Sequence, residues 1–444
     1  MSSVRIAIQG CAHGELEQIY AKIDPKTDLL LILGDFQALR STQDYQALNV
    51  PAKYRALGDF HSYYSGALTA PCLTIFIGGN HENSAYLQEL KYGGWVAPRM
   101  YYLGEFGSVW YRGIQIAGWS GIFNRSTFLR NNMYVEKPPY RRDELVSVYH
   151  QKLTAFIKLY MMNHDLDVVM SHDWPVGIED YGDKRKLLAL KPFFKKDIEN
   201  KELGSPLNKF LLHHLRPRYW FSAHLHVLFE ASVSYKGEVN SKEQSKSSNN
   251  DEIALNMDDE TEKEISNKDK INLDMDEEDL YLSNPQPKKT PPRMSPSDHS
   301  TNFLALDKCG KRRIHLRHIT ITPDEAHQSH PSYKDNKLYY SRRAIAINKV
   351  LETYLKSHED EFRGINTRKI LEDPHNLVLV NELMPLVELE LRKLSGMKDE
   401  LFIVPESFKV VAPTEDDGSQ LKFYPNNQTE EYCKKFDVVS PDLA

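Results

Sequence analysis

The chain has 444 residues, 41% of them hydrophobic, and a formal net charge of −6; this is more than one typical domain, with ample apolar content for a sizeable core. No apolar run reaches the roughly 18 residues needed to cross a bilayer, and Met-Ser-Ser-Val-Arg-Ile enters a strand pattern at once, so neither a membrane span nor a secretory leader is expected. Cys11, Cys72, Cys309 and Cys433 lack disulfide-style spacing and predict a reducing compartment, cytosol or nucleus.

In chain order, Val4–Gln9 predicts a strand that ends on Gly10-Cys11-Ala12-His13, and 15–23 a helix. Strand patterns at 29–33 and 73–77 end on Gly34-Asp35 and Gly79-Asn80-His81-Glu82. Residues 118–150 show no clear strand and interleave aromatic with basic residues: Trp119, Phe123, Arg125, Phe128, Arg130, Tyr134, Lys137, Tyr140, Arg141 and Arg142. Such a mixture suits a splayed single-stranded nucleic acid, or else an ordinary surface loop with an aromatic anchor. A helix is predicted over 142–162, then strands at 168–170 and Tyr219–Ser222, which end on Ser171-His172-Asp173 and Ala223-His224-Leu225-His226. Between them, lysines 184, 186, 191, 195 and 196 with Arg185 form a second basic cluster, which either tracks an RNA arm or is a solvated helix face. Strands alternating with helices make 1–235 an α/β domain with mixed pairing.

From about 236 to 300 the composition turns to Ser, Asn, Lys, Asp and Glu with few aromatics, which predicts a disordered acidic insert. Residues 251–280 alone hold 13 Asp/Glu against three Lys, so the rest of the chain is net positive by four, as suits a protein that grips phosphates. Strand patterns resume at 303–306 and 314–321, placing 301–325 in the catalytic sheet. Residues 335–420 predict a helical C-terminal domain, with apolar spacing of helical period at 344–355 and 377–394. The polar stretch 421–444 is expected to be a loose tail.

Five strand ends that each deliver metal-binding side chains spell one site. A pair of divalent ions about 3.5–4 Å apart clamps the oxygens of a phosphate, and one carboxylate should bridge them. Asp35 is the natural bridge. Cys11, His13 and His226 would complete one ion, and Asn80, His172 and His224 the other. Imidazole suits Zn, Fe and Mn, whereas a thiolate favours softer ions over Mg²⁺. Cys11 is either that thiolate or a small buried apolar residue at a strand end.

The pattern D-x-H, GD, GNH(E/D), H and H-x-H marks the calcineurin-like metallophosphoesterases, with Cys11 here in place of the first Asp. Gly10-Cys11-Ala12-His13-Gly14, Gly34-Asp35-Phe36-Gln37 and Ser171-His172-Asp173-Trp174-Pro175 narrow the match. So do Ser120-Gly121-Ile122-Phe123-Asn124 and Lys137-Pro138-Pro139-Tyr140, and together these segments resemble the RNA lariat debranching enzymes over about residues 1–320. The resemblance implies two face-to-face sheets with helices outside, and hydrolysis of the 2′–5′ phosphodiester at the branch point of excised intron lariats. It also implies Fe²⁺ or Zn²⁺, with Mn²⁺ also usable, a nuclear location with possible cytoplasmic shuttling, and branched RNA rather than DNA as partner. The family carries its lariat-recognition loop at 118–150, so Phe123, Asn124, Tyr134, Tyr140 and Arg141 are the candidate RNA contacts. His81 would protonate or hydrogen-bond the departing 2′ oxygen, or else orient a ligand. Glu82 and Asp173 would hold imidazole tautomers. The alternatives are another metallophosphoesterase, acting as a nuclease or phosphatase, and an inactive RNA-binding scaffold. Cys11 and the 118–150 segment argue against the first, and the complete ligand set against the second.

Overall fold

The computed structural model describes residues 3–131, 133–164, 166–235 and 300–443. One compact unit comprises Met1–Val233 and Ser300–Ala444. The second unit, Ser234–His299, takes in the predicted acidic insert, which lies outside the described residues.

Among the described residues, thirteen strands form two mixed sheets. In chain order they are β1 (Val4–Gln9), β2 (Leu29–Ile32), β3 (Leu73–Phe76), β4 (Gly94–Ala97), β5 (Met100–Tyr102), β6 (Phe106–Tyr111), β7 (Ile114–Trp119), β8 (Val168–Ser171), β9 (Tyr219–Ser222), β10 (Phe229–Ser234), β11 (Ser300–Ala305), β12 (Leu316–Ile321) and β13 (Leu338–Tyr340). The first sheet runs β12-β1-β2-β3-β5-β4, the second β10-β11-β9-β8-β7-β6-β13. β1, β2, β3 and β5 are parallel, as are β7, β8, β9 and β11, and antiparallel strands close both edges of the first sheet and the β6-β13 edge of the second.

Period-two alternation explains the layering. Val4, Ile6 and Ile8 of β1 and Leu29 and Leu31 of β2 face inward, against Ile116, Val168, Met170, Phe221 and Leu304 of the other sheet. The alternate residues Ala7, Leu30, Ile32 and Phe76 face outward onto a helical layer that supplies Leu16, Ile19, Phe60, Tyr64 and Tyr86. Both sheets are therefore apolar on both faces, as buried parallel strands must be. On the outer face of the second sheet, Trp119 meets Phe156 of the Leu153–Tyr160 helix and donates Nε1–H to Asn208 at 2.9 Å.

Several sequence expectations need correcting. The 15–23 helix is a single turn, Leu16–Tyr20. The 142–162 helix breaks into Glu144–Ser147 and Leu153–Tyr160. Segment 118–150 begins inside β7, and Ser300 opens β11 rather than closing the insert. The helical C-terminal region is present, with long helices Arg342–Ser357 and Val378–Ser395 packed together, but it opens with β13, the edge strand of the second sheet. The loose tail is instead a packed segment: Asn427–Phe436 is a helix that buries Tyr432, Cys433 and Phe436. Gln428 both accepts from Trp95 N and donates to Trp95 O, at 2.8 Å each, so its amide covers the exposed edge of β4. The buried Arg40 spans Asp44 and Glu89, and Glu89 also accepts from Tyr424 N at 3.0 Å, tying this segment to the catalytic body.

A buried three-charge group joins the C-terminal helices to the rest. Glu352 accepts from Lys158 at 2.6 Å and Lys91 at 2.8 Å. Burial alone would raise its carboxyl, but the two ammoniums outweigh burial and hold it at about 2. Glu352→Gln should cost about 3–5 kcal/mol, because two ammoniums lose their counter-charge in a buried setting. The depressed pKa means that this stabilisation is present above about pH 4.5 and is lost as pH falls toward 2. Thermal melts over that window should show the wild type losing more stability than the variant on acidification.

Candidate metal centre

The ligand residues follow the C-terminal ends of five parallel strands: β1, β2 and β3 from one sheet, β8 and β9 from the other. Strand ends alone do not converge; tight backbone turns bring them together. His13, Asp35, His224 and His226 all sit at positive φ, between 48° and 65°, a region costly for residues with a side chain. Two glycines allow the close approach. A Cβ on Gly34 would lie 2.2 Å from His172 Nδ1, and one on Gly79 would lie 2.3 Å from Asp35 Oδ1.

One group of donor atoms, from Cys11, His13, Asp35 and His226, lies within 4.8 Å of one another. His13 Nε2 is 3.3 Å from His226 Nε2 and 3.7 Å from Asp35 Oδ2. On the other side of Asp35, His172 Nε2 is 3.5 Å from Asp35 Oδ1 and 3.1 Å from Asn80 Oδ1. The His224 ring lies 5.0 Å from that of His172, and its backbone N–H donates to Cys11 Sγ at 3.4 Å. Asp35 thus stands between two donor sets, as a bridging carboxylate must. Its Oδ1 accepts from His81 N at 2.8 Å, while the fully buried Oδ2 has no hydrogen-bond partner among the described residues. An orphaned anionic oxygen among imidazoles and a thiol fits a divalent cation.

The electrostatics agree. Burial raises the Cys11 thiol well above its ordinary value, and the Asp35 charge adds to that, so the thiolate requires a cation beside it. Burial lowers His13 to about 4 and His226 well below its usual value, leaving both as neutral imidazoles ready to ligate. Burial would raise Asp35, but the His172, His81 and His13 rings outweigh it and keep the carboxylate ionised. His172 donates Nδ1–H to Leu33 O at 2.6 Å, which fixes its tautomer and turns Nε2 toward Asn80 and Asp35.

The carboxylates expected to hold imidazoles hold backbone instead. Glu82 accepts from Phe36 N and Gln37 N at 2.8 Å each and from Gly79 N at 3.0 Å, pinning the Asp35 turn to the Asn80 turn. Burial pushes its carboxyl up to about 8, with the Asp35 charge adding to the effect, and the three N–H donors pull against that. Asp173 accepts from Trp174 N at 2.9 Å and from Phe123 N at 3.1 Å, joining the His172 turn to the 118–150 segment.

His81 lies over the centre, its ring 5.8 Å from that of His13. Its Nδ1 is 3.1 Å from the Asn49 carbonyl and so carries a proton; its Nε2 is 3.1 Å from Asn80 Nδ2. Asn49, which also donates to Tyr149 OH at 2.7 Å, was not legible in the sequence, because it lies in an irregular stretch with no motif.

The five candidate RNA contacts fall in different settings. Phe123 lies beside Asp173 and is half-buried. Asn124 caps the Arg125–Arg130 helix through Thr127 N at 2.9 Å. Tyr134 and Arg141 are exposed and share Glu144, at 2.8 and 3.1 Å. Tyr140 packs with Ala47, Ala85, Leu421 and Phe423 and donates to Gln88, which makes it part of the scaffold.

Comparison with known proteins agrees with this geometry. Residues 4–228 match the family model for calcineurin-like phosphoesterases, and residues 298–441 match that for the C-terminal domain of lariat debranching enzymes. The chain is 36% identical to the lariat debranching enzyme of Schizosaccharomyces pombe over 462 aligned residues, covering 96% of this chain and 94% of that protein. It is 41% identical to the lariat debranching enzyme of Saccharomyces cerevisiae over 354 residues, covering 76% and 80%. Identity to lariat debranching enzyme A of Xenopus laevis is 49% over 243 residues, 53% of this chain and only 45% of that longer protein. With both domains matched in order and the fission-yeast relative aligned along nearly the whole chain, the protein belongs to the lariat debranching enzymes, metal-dependent phosphodiester hydrolases of the calcineurin-like class.

Proposed function

We propose that this chain hydrolyses the 2′–5′ phosphodiester at the branch point of excised intron lariats, releasing a free 2′-OH and a 5′-phosphate and acting in the nucleus. The observation that carries this reading is the Asp35 carboxylate between two donor sets, with His81 over it and the 118–150 segment joined to the His172 turn through Asp173. Two divalent ions held by Cys11, His13, Asp35, Asn80, His172, His224 and His226 would supply a nucleophilic water with pKa near 7 and neutralise charge on the phosphate oxygens.

The chain's own groups do the rest. His81 keeps its Nδ1 proton on Asn49 O, so it is the doubly protonated ring, with its second proton on Nε2, that would hand a proton from Nε2 to the departing 2′ oxygen. Before Nε2 takes up that proton, Asn80 Nδ2 donates to it at 3.1 Å and orients the ring. Glu82 keeps the Asp35 and Asn80 turns in register, so the two donor sets cannot drift apart. Phe123, whose backbone N–H is held by Asp173 beside the His172 turn, offers an aromatic face for an unstacked base. The Cys11 thiolate favours Fe²⁺ or Zn²⁺, with Mn²⁺ usable and Mg²⁺ disfavoured.

The deciding assay offers a short RNA with a single 2′–5′ linkage beside its linear 3′–5′ counterpart, with Fe²⁺, Zn²⁺ and Mn²⁺ supplied separately. Cleavage of the 2′ bond alone is expected, and cleavage of linear RNA would remove the debranching assignment. His81→Ala should retain metal content and branched-RNA binding, while kcat falls about 10²–10⁴-fold. Cys11→Asp should shift bound metal, read by elemental analysis of the purified protein, away from Fe²⁺ and Zn²⁺ toward Mn²⁺.

A further inference from the structure

A second surface meets the metal centre on a side away from the 118–150 segment. That segment reaches the ligand shell through Gly121 N on Gly78 O at 2.9 Å, through Tyr149 on Asn49 and through Phe123 on Asp173. The Cys11 side is bounded instead by residues 306–309. Gly10 lies so close to them that a Cβ there would come within 2.0 Å of Asp307 O, and Cys309 N donates to Cys11 O at 2.9 Å. Arg313 holds Asp307 at 3.0 Å, Lys191 adds its positive charge to the same carboxylate, and the Lys308 charge reaches both His13 and His226.

Lys191 leads directly into an exposed pair of short helices, Lys184–Leu190 and Phe194–Glu199. Residues 184–196 carry six cations and no carboxylate, and of the acidic residues that flank them Asp180 pairs with Lys184 at 3.0 Å and Glu199 lies 3.9 Å from Lys195. The pair is anchored by Leu187, Phe194 and Ile198, all buried. Phe193 points the other way and is 60% exposed, close in sequence to Leu190, which is 40% exposed. Its mounting is rigid: Pro192 fixes the preceding backbone, the Phe194 ring meets it edge-on at 4.8 Å, and Lys191 Nζ lies 5.6 Å from its centroid. A fixed aromatic face among lysines, continuous with a phosphoesterase centre, matches single-stranded nucleic acid, where a base stacks on the ring and flanking phosphates meet the ammoniums. A branched RNA leaves its branch point in three directions, so one recognition segment cannot hold every arm.

We propose that Phe193, with Lys195 and Lys196, forms a second RNA site that holds one single-stranded arm of the substrate by stacking and phosphate contacts. This deepens the debranching reading and rests on it for the identity of the arm.

The test uses the full chain and the variant Phe193→Ala/Lys195→Glu/Lys196→Glu. Binding of a linear RNA of roughly 12 nucleotides, with metal chelated, is followed across a salt series. The variant should bind about tenfold or more weakly, with a salt slope shallower by about 1.4, as expected for two lost single-strand phosphate contacts at about 0.7 each. In the debranching assay, kcat/KM should fall for a branched RNA with long arms and hold within about twofold for one trimmed to the branch nucleotides. Unchanged linear-RNA binding and salt slope would overturn the proposal and leave the patch as a protein-docking face. Equal loss on the trimmed substrate would also overturn it, since the patch would then act through the centre and not through an arm. If the wild type cleaves no branched RNA, the debranching reading fails, while the binding series still decides whether the patch holds RNA.

Discussion

A single buried carboxylate organises the catalytic end of this protein. Asp35 must remain ionised where burial favours the neutral acid, and it must present one oxygen that no hydrogen-bond donor among the described residues satisfies. Leaving a charged acceptor unpaired inside a protein costs several kcal/mol. The surrounding fold makes the arrangement tolerable: the His81 backbone N–H fills one oxygen, His13 and His172 flank it, and Glu82 clamps the turns on either side. Four ligand residues at positive φ show that the strain is spread over several turns. A site of this kind is least stable when empty, so the cation is part of what holds the strand ends in place.

The metal centre was legible in the sequence because it depends on two features that a sequence displays directly. Strands buried on both faces read as short apolar runs, and the residues that follow them are drawn from the few types that bind metals. Val4–Gln9 followed by Cys11 and His13, and Tyr219–Ser222 followed by His224 and His226, need no tertiary information to recognise. The roles of Glu82 and Asp173 could not be read the same way. Their partners are backbone N–H groups 45 to 50 residues distant or within their own turns, and backbone carries no sequence signature.

What escaped the sequence shares a physical cause. β4, β5, β6 and β13 are edge or near-edge strands rich in Gly, Trp and Tyr, without the apolar run of the central strands. The Asn427–Phe436 helix looks polar because only one narrow stripe, with Tyr432 and Phe436 four residues apart, faces inward. Tyr140 lies in a basic, aromatic segment whose composition suggests RNA, yet its ring is enclosed beside Phe423 and its hydroxyl is taken by Gln88. Composition reports what a segment could contact; which contacts are already taken inside the protein is a property of packing.

The match to a separate C-terminal family domain begins at residue 298, yet the strands just beyond that point are not separable from the catalytic sheets. β12 pairs with β1 in full register, Val4 opposite Ile321, and β11 lies parallel to β9. During synthesis at roughly 5–20 residues per second, β1 therefore waits on the order of tens of seconds for its outer neighbour to leave the ribosome. Through that interval its unpaired edge is a template for pairing with other nascent chains. β1, made before the other strands of these two sheets, is among the last to be sealed, which makes the catalytic body a late-closing structure whose early life depends on shielding from other chains.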